Sequence, residues 1–153
     1  MSHPSRPLPE GEEKRETVRT MFDSIAPRYD LVNRVMTFGM DVGWRETTVE
    51  SLNLPAGSLV LDLACGTGDL CRILEAAGHR PVGIDISEGM LRAARTNAPL
   101  LQADGLALPI RDGVVDGITC GFALRNVVSL TDLFSELARV VRPGGRIALL
   151  ETA

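Results

Sequence analysis

Val60-Leu61-Asp62-Leu63-Ala64-Cys65-Gly66-Thr67-Gly68-Asp69-Leu70 decides the fold of this chain. The apolar run, broken only by Asp62, reads as a buried strand. Gly66-Thr67-Gly68 reads as a tight turn, and Asp69-Leu70 opens a helix. Such a strand-turn-helix is a nucleotide cradle: the glycines let the backbone approach a ligand closely, and the helix start offers free N–H groups. An acid stands at each end of this turn. The cradle therefore repels a pyrophosphate and welcomes a cation.

Outward from this run the texture repeats. The first strand covers 59–63. A helix follows over 69–77, with Leu70, Ile73, Leu74 and Ala77 inward and Gly78 as its stop. Pro81 to Ile84 is a second strand, and Ser87 caps a helix running to Thr96. Leu100 to Gln102 and Val114 to Cys120 are the third and fourth strands. Leu130, Leu133, Phe134, Leu137, Val140 and Val141 form a helical stripe. Arg142-Pro143-Gly144-Gly145 ends that helix, and Arg146 to Leu150 is a fifth strand. Apolar strands alternating with helices predict an α/β fold: a parallel, doubly wound, Rossmann-like sheet covered on both faces. Ligands bind such sheets beyond the C-terminal strand ends, where the strand order reverses. Gly66, Asp85, Asp104 and Gly121 all fall at or just past predicted strand ends.

Three segments are expected. Residues 1–11, with Pro4, Pro7 and Pro9, read as a disordered leader. Residues 12–54 read as a helical cap or lid, with helices over 12–25, 30–36 and 41–52. Val18, Met21, Phe22 and Ile25 share one stripe of the first. Four of the six aromatics (Phe22, Tyr29, Phe38 and Trp44) lie in this cap. Residues 55–153 read as the cofactor-binding core. The chain's last strand leaves one sheet edge bare, so the sheet reads as cut short after its fifth strand. A bare edge invites pairing with a second copy.

Composition excludes several classes. Net charge is −4, and the arginines are scattered among acids with Lys14 as the single lysine, so no broad basic face for nucleic acid is implied. Cys65, Cys71 and Cys120 contain no Cys-x-x-Cys pair, and His3 and His79 are not grouped near them, so no metal site is expected. Three cysteines without a signal peptide fit the cytoplasm. No apolar run approaches the ~20 residues of a membrane span.

The acids specify the ligand further. Asp85 ends the second strand 19 positions after Gly66, placed to grip ribose hydroxyls, with Ile86 beside it. Cys71 stands where the dinucleotide fingerprint has its third glycine, which counts against NAD. A carboxylate in a buried strand must be paired or hydrogen-bonded. Asp62 therefore holds a ligand amine, directly or through water, or else makes a structural ion pair. Together these features point to S-adenosylmethionine. Thr67 offers a hydroxyl or N–H to it, and Gly66 and Gly68 shape the turn around it. Asp104 accepts the exocyclic amine of adenine, or else Asp104-Gly105 is only a turn. Arg125, in the loop Gly121 to Asn126, polarises an acceptor oxygen or is merely solvated. Tyr29 and Asp30 close as a lid, or simply pack.

The chain resembles the ubiquinone/menaquinone biosynthesis C-methyltransferase family, a branch of the class I methyltransferases. The resemblance runs from Val18 to Glu151. It rests on Phe22-Asp23-Ser24-Ile25-Ala26 with Tyr29-Asp30 and Asn33, on Gly39 with Trp44-Arg45, and on Leu61 through Asp69. It continues through Gly83-Ile84-Asp85-Ile86-Ser87 with Met90-Leu91, Ala103-Asp104, Leu108-Pro109, Leu124-Arg125-Asn126-Val127 and Arg142-Pro143-Gly144-Gly145. The glycine turn and the Pro-Gly-Gly element are common to most class I methyltransferases, whereas Tyr-Asp and Leu-Arg-Asn are more particular to the family. The resemblance implies S-adenosylmethionine as methyl donor and a prenylated quinol, demethylmenaquinol or a related benzoquinol, as acceptor. It assigns cofactor contacts to Thr67, Asp85, Asp104, Gly105 and Gly121, the last standing where relatives usually carry serine. It gives Arg125 and Tyr29 a part in removing a proton from the acceptor ring.

The expected reaction is therefore C-methylation of a quinol, with no metal. An apolar acceptor implies peripheral contact with the inner face of the membrane, through the aromatic-rich cap. The competing readings are a methyltransferase for another small acceptor, such as a sterol or polyketide, and a cofactor-binding chain without turnover. A NAD-dependent oxidoreductase is the most distant.

Overall fold

The computed structural model describes residues 10–28 and 39–151. The helix expected over 30–36, and with it Tyr29 and Asp30, lies outside those residues. Among the described residues, two α-helices precede the sheet, α1 (Gly11–Ile25) and α2 (Met40–Ser51). Then follow β1 (Leu59–Leu63), α3 (Asp69–Ala76), β2 (Arg80–Asp85), α4 (Glu88–Ala93), β3 (Leu100–Gln102), β4 (Val115–Gly121), α5 (Leu130–Val140) and β5 (Val141–Leu150). The strands form one sheet in the order β3-β2-β1-β4-β5, and every pair is parallel. The strand order reverses between β1 and β4, so the tips of those two strands flank the crevice where such sheets take ligands.

The pleat sorts side chains between two faces. Leu61, Leu63, Ile118 and Cys120 turn toward α5 and pack with its Leu133, Leu137 and Val140. Val60 and Ala148 turn the other way, onto Val49 and Leu52 of α2 and its flank and Leu70 and Leu74 of α3. The loop between β3 and β4 is fastened by α5. Arg139 donates to the Ile110 carbonyl at 2.7 Å and the Leu108 carbonyl at 3.1 Å, and Glu136 accepts the Leu108 N–H at 2.6 Å.

Local chemistry sets the boundaries. Gly78, at φ +85°, ends α3 in a Schellman pair: its N–H donates to Glu75, and the His79 N–H reaches back to Leu74. The stop comes one residue sooner than the periodicity suggests. Ala77 is exposed, and Cys71 takes the inward position instead. Ser87 caps α4 by accepting the Met90 N–H at 3.1 Å. That helix ends at Ala93 rather than Thr96, because the Arg95 N–H donates to the Thr67 carbonyl at 2.9 Å and draws the chain toward the glycine turn.

Arg142-Pro143-Gly144-Gly145 is not a separate turn before β5 but a bulge within it. The register jumps from Val115 opposite Val141 to Gly117 opposite Arg146, and Gly144 at φ +80° absorbs the extra residues. The α5 stripe is narrower than its sequence suggests. Leu133, Leu137 and Val140 are buried, but Leu130 and Phe134 are each 45% exposed. They stand on the α5 face with Ile147 and Leu149 of β5, which are also partly exposed. The α1 stripe divides as well. Val18 and Phe22 turn to the strand tips, whereas Met21 and Ile25 are exposed. This helix packs on α4 rather than on the sheet, so it has no core to bury a whole face against.

Candidate functional site

A cleft lies beyond the C-terminal tips of β1 to β4, in the position the topology predicts. Gly66, Asp85, Ile86, Asp104, Gly105 and Gly121, all singled out from the sequence, line it. Aliphatic side chains of Leu63, Met90, Leu106 and Leu133 supply its apolar wall.

Asp85 anchors the floor. Its Oδ2 accepts the Gly66 N–H at 2.8 Å, and its Oδ1 accepts the Ser87 N–H at 2.8 Å. One carboxylate thus ties the glycine turn to the start of α4. Each oxygen keeps a further lone pair for a ligand hydroxyl. Burial holds the Asp85 carboxyl above the usual carboxylate range, against the Ser87 and Gly66 amides that favour its ionised form.

Asp62 lies behind this wall at 1% exposure. Thr119 Oγ1 donates to it at 2.8 Å and Cys71 Sγ at 3.6 Å. Burial pushes its carboxyl up to about 7; the Thr119 and Cys71 bonds oppose this, and the nearby Asp85 charge adds to it. Two neighbouring acids thus resist ionisation. A pyrophosphate would worsen that balance, and a cation would relieve it.

Thr67 and Gly68 shape the turn from behind and are not among the residues lining the cleft. The buried Thr67 accepts the Arg95 N–H on its carbonyl at 2.9 Å. Gly68 adopts φ +94°, and a Cβ there would sit 3.0 Å from Thr96 Cγ2. Asp104 is engaged twice: Oδ1 accepts the Leu106 N–H at 2.9 Å, and Oδ2 pairs with Arg15 Nε at 2.9 Å. Arg125 belongs to a short 3-10 turn, Leu124–Asn126, on the outer side of the cleft. Its exposed side chain pairs with Glu151 at 3.0 Å, and the neighbouring Asn126 lines the cleft instead.

The cap expected over 12–54 includes α1, but sequence reading singles out none of its residues for the site. Arg15, Val18 and Phe22 line the cleft from above. Three polar side chains strap the helix across the opening. Lys14 Nζ donates to the Val127 carbonyl at 3.3 Å, Arg15 pairs with Asp104, and Asp23 Oδ1 accepts from Ser87 Oγ at 2.5 Å and the Gly89 N–H at 3.0 Å. Gly89 is required there, since a Cβ would lie 2.9 Å from the Asp23 Cα. Phe22-Asp23 carries a signal, but within the cap Tyr29 and Asp30 are the residues expected to close over the cofactor. Also missed were two left-handed residues at the strand tips that flank the reversal, Ala64 at φ +54° and Phe122 at φ +57°. Neither is glycine, and both line the cleft. Such backbone persists only where its surroundings over-determine it.

Comparison with known proteins supplies further findings. The family model described as "ubiE/COQ5 methyltransferase family" matches residues 10–153. A demethylmenaquinone methyltransferase of Corynebacterium urealyticum is 43% identical over 141 residues, covering 92% of this chain and 61% of that protein. The chain thus spans about three fifths of the length of the curated relatives it matches. Among solved structures, a methyltransferase complexed with the Trm112 activator of Haloferax volcanii superposes with a TM-score of 0.72 at 26% identity, covering 84% of this chain and 58% of that one. A Haemonchus contortus phosphoethanolamine N-methyltransferase, solved with S-adenosylhomocysteine, shares the fold at TM-score 0.75 and 20% identity, over 93% of this chain and 33% of that one.

Proposed function

Since the chain belongs to the ubiE/COQ5 methyltransferase family, we propose that its cleft binds S-adenosylmethionine and serves C-methylation of a prenylated quinol, demethylmenaquinol or a related benzoquinol. The observation that carries this is the cleft itself. An Asp85 carboxylate fixed by two backbone amides, with Asp62 behind it, sits at the strand reversal in a cleft whose lining arginine, Arg15, is already paired with Asp104. These residues fit a cationic nucleoside.

Asp85 would hold the ribose hydroxyls, with Ile86 against the sugar. Asp104, released from Arg15, would accept the adenine amine, and Gly105 leaves room for the ring beside Leu63. The backbone of Gly66 and Gly121 borders the remaining space, while Thr67 and Gly68 keep the turn in shape. Bound S-adenosylmethionine supplies an electrophilic methyl group on a sulfonium. The protein's work is then positioning, exclusion of water and proton removal. The acceptor ring must lose a hydroxyl proton before its carbon is nucleophilic enough. Arg125, with Tyr29, would favour that loss by stabilising the oxyanion. The N-terminal helices would act as a lid, with α1 opening for cofactor entry.

No helix among the described residues is long and apolar enough to cross a membrane. A prenylated acceptor nonetheless brings the reaction to a membrane surface, which the chain would meet from the cytoplasmic side. The edge of β5 would accept a second copy or another segment.

Calorimetric titration with S-adenosylhomocysteine and with NAD tests the cofactor. We expect the first to bind and the second not to compete. Isotopically labelled methyl transfer to demethylmenaquinol, followed by mass spectrometry, tests the acceptor. Methyl on a ring carbon supports the reading; transfer only to unrelated acceptors, or binding without any transfer, overturns it.

A further inference from the structure

Arg45 sits where the helical layer meets the two strand tips that flank the cleft. It lies on α2 and is only 5% exposed, an uncommon place for a cation. Asp41, one helical turn earlier, accepts from its Nη1, and Asp69, the first residue of α3, lies 3.6 Å from the same nitrogen. The guanidinium carbon stands 5.1 Å from the centroid of the Phe122 ring. The Trp44 ring approaches the same phenyl at 6.3 Å and 55°. One planar cation therefore touches α2, the residue that follows the glycine turn, and the residue that follows β4.

Phe122 needs holding. Its left-handed backbone is unfavourable for a residue with a Cβ, and its N–H is committed to the Leu150 carbonyl at 2.7 Å. The ring is the remaining handle, and Arg45 and Trp44 grip it. Arg72 holds the Asp69 Oδ1, so an apolar side chain in place of Arg45 would fill the space but leave the Asp69 Oδ2 and the Phe122 ring without their link to α2. A guanidinium supplies both links, through its flat face and its fork of donors.

We propose that Arg45 is a positioning residue: acting through Asp69 and Phe122, it sets the separation of the two strand-tip turns and hence the width of the cleft between them. It touches no ligand itself. The inference rests on the reading of that cleft as the cofactor site.

A double-mutant cycle of Arg45→Lys and Phe122→Leu tests it, read by S-adenosylhomocysteine affinity and by the ligand-free thermal midpoint. Lysine keeps the charge beside Asp41 and Asp69 but offers no flat face; leucine keeps apolar bulk but no ring. Each single change is expected to weaken binding about tenfold, and the double no more than either alone. Thermal midpoints should show no matching non-additivity. Trp44, the single tryptophan, should change its emission on ligand addition in the unaltered chain and not in Arg45→Lys. Unchanged affinity in Arg45→Lys, multiplying effects in the double variant, or coupling seen only in the midpoints would each overturn the proposal. If the unaltered chain binds no S-adenosylhomocysteine, the cofactor reading fails and takes this inference with it. Binding that is unchanged by either substitution sinks this inference alone.

Discussion

The two faces of the sheet are built for different purposes. Toward α5, the strand residues at 61, 63, 118 and 120 are Leu, Leu, Ile and Cys, packed on Leu133 and Leu137. On the opposite face, the residues at 60, 62, 119 and 148 are Val, Asp, Thr and Ala, and the helices above them add the buried Asp41, Arg45 and Asp69. The first face is apolar throughout and gains stability in proportion to buried area. The second buries carboxylates that burial disfavours, and it does so beneath the strand tips. The α5 face packs by apolar contact alone, whereas the other adds to its own apolar cluster the carboxylates that set the electrostatics of the cleft.

Truncating the apolar face should give the largest effect. Leu137→Ala removes a side chain that is 1% exposed, and should cost about 2–5 kcal/mol of unfolding free energy. Chemical denaturation would measure it. S-adenosylhomocysteine affinity of the protein that remains folded should hardly move; a large drop in affinity would break the division between faces. Asp85→Asn should reverse the pattern. The amide cannot accept from both Gly66 and Ser87 while also gripping a ligand hydroxyl. We expect binding to weaken on the order of a hundredfold, by calorimetry, with a smaller loss of stability.

Most of the apolar face is legible in the sequence, because period 2 in the strands and period 3.6 in α5 are properties of the chain alone. The rim residues Gly66, Asp85, Asp104 and Gly121 are legible for a related reason, since strand ends follow from the same periodicity. The other face is less so. Asp62 is visible as an anomaly, but its partners Thr119 and Cys71 are 57 and 9 residues away, and no local pattern pairs them. Arg45 and Phe122 are separated by most of the sheet. The contact of Arg15 with Asp104 depends on how α1 lies across the opening, which its own periodicity does not encode.

Asp62 offers a test in which pH separates the faces. Its folded-state pKa, about 7, lies above that of an unfolded aspartate. The native state therefore keeps a proton that the unfolded chain has lost, and stability falls as pH rises from about 4 to about 7, then levels. Asp62→Asn should remove that decline, so denaturation midpoints of the two proteins should diverge across this window. Binding should run the other way. A cationic ligand favours the ionised carboxylate, so the affinity advantage of the unaltered protein over Asp62→Asn should grow between pH 6 and 8, by up to about tenfold. The ligand's own titration is common to both proteins and cancels. Parallel affinity curves would show that Asp62 is insulated from the cleft.

The smallest expected effect concerns the strap over the cleft. Arg15 and Asp104 are each a little under a third exposed, so their ion pair contributes about 0–1 kcal/mol. Adenine capture by Asp104 would have to displace Arg15. Arg15→Gln should therefore tighten S-adenosylhomocysteine binding, by about two- to fivefold. Raising ionic strength should tighten binding to the unaltered chain more than to the variant, because salt weakens the competing pair. Asp23→Asn acts at a different point of the strap. Hydrogen bonds from Ser87 and the Gly89 amide hold the Asp23 carboxyl below the usual carboxylate range. Its removal should loosen α1 without freeing Asp104 directly. If both variants tighten binding, α1 restrains entry as a whole; if only Arg15→Gln does, the competition is local to Asp104. Weaker binding in Arg15→Gln would mean that α1 closes on the ligand and belongs to the site, which would move the lid from the entry path into the binding machinery.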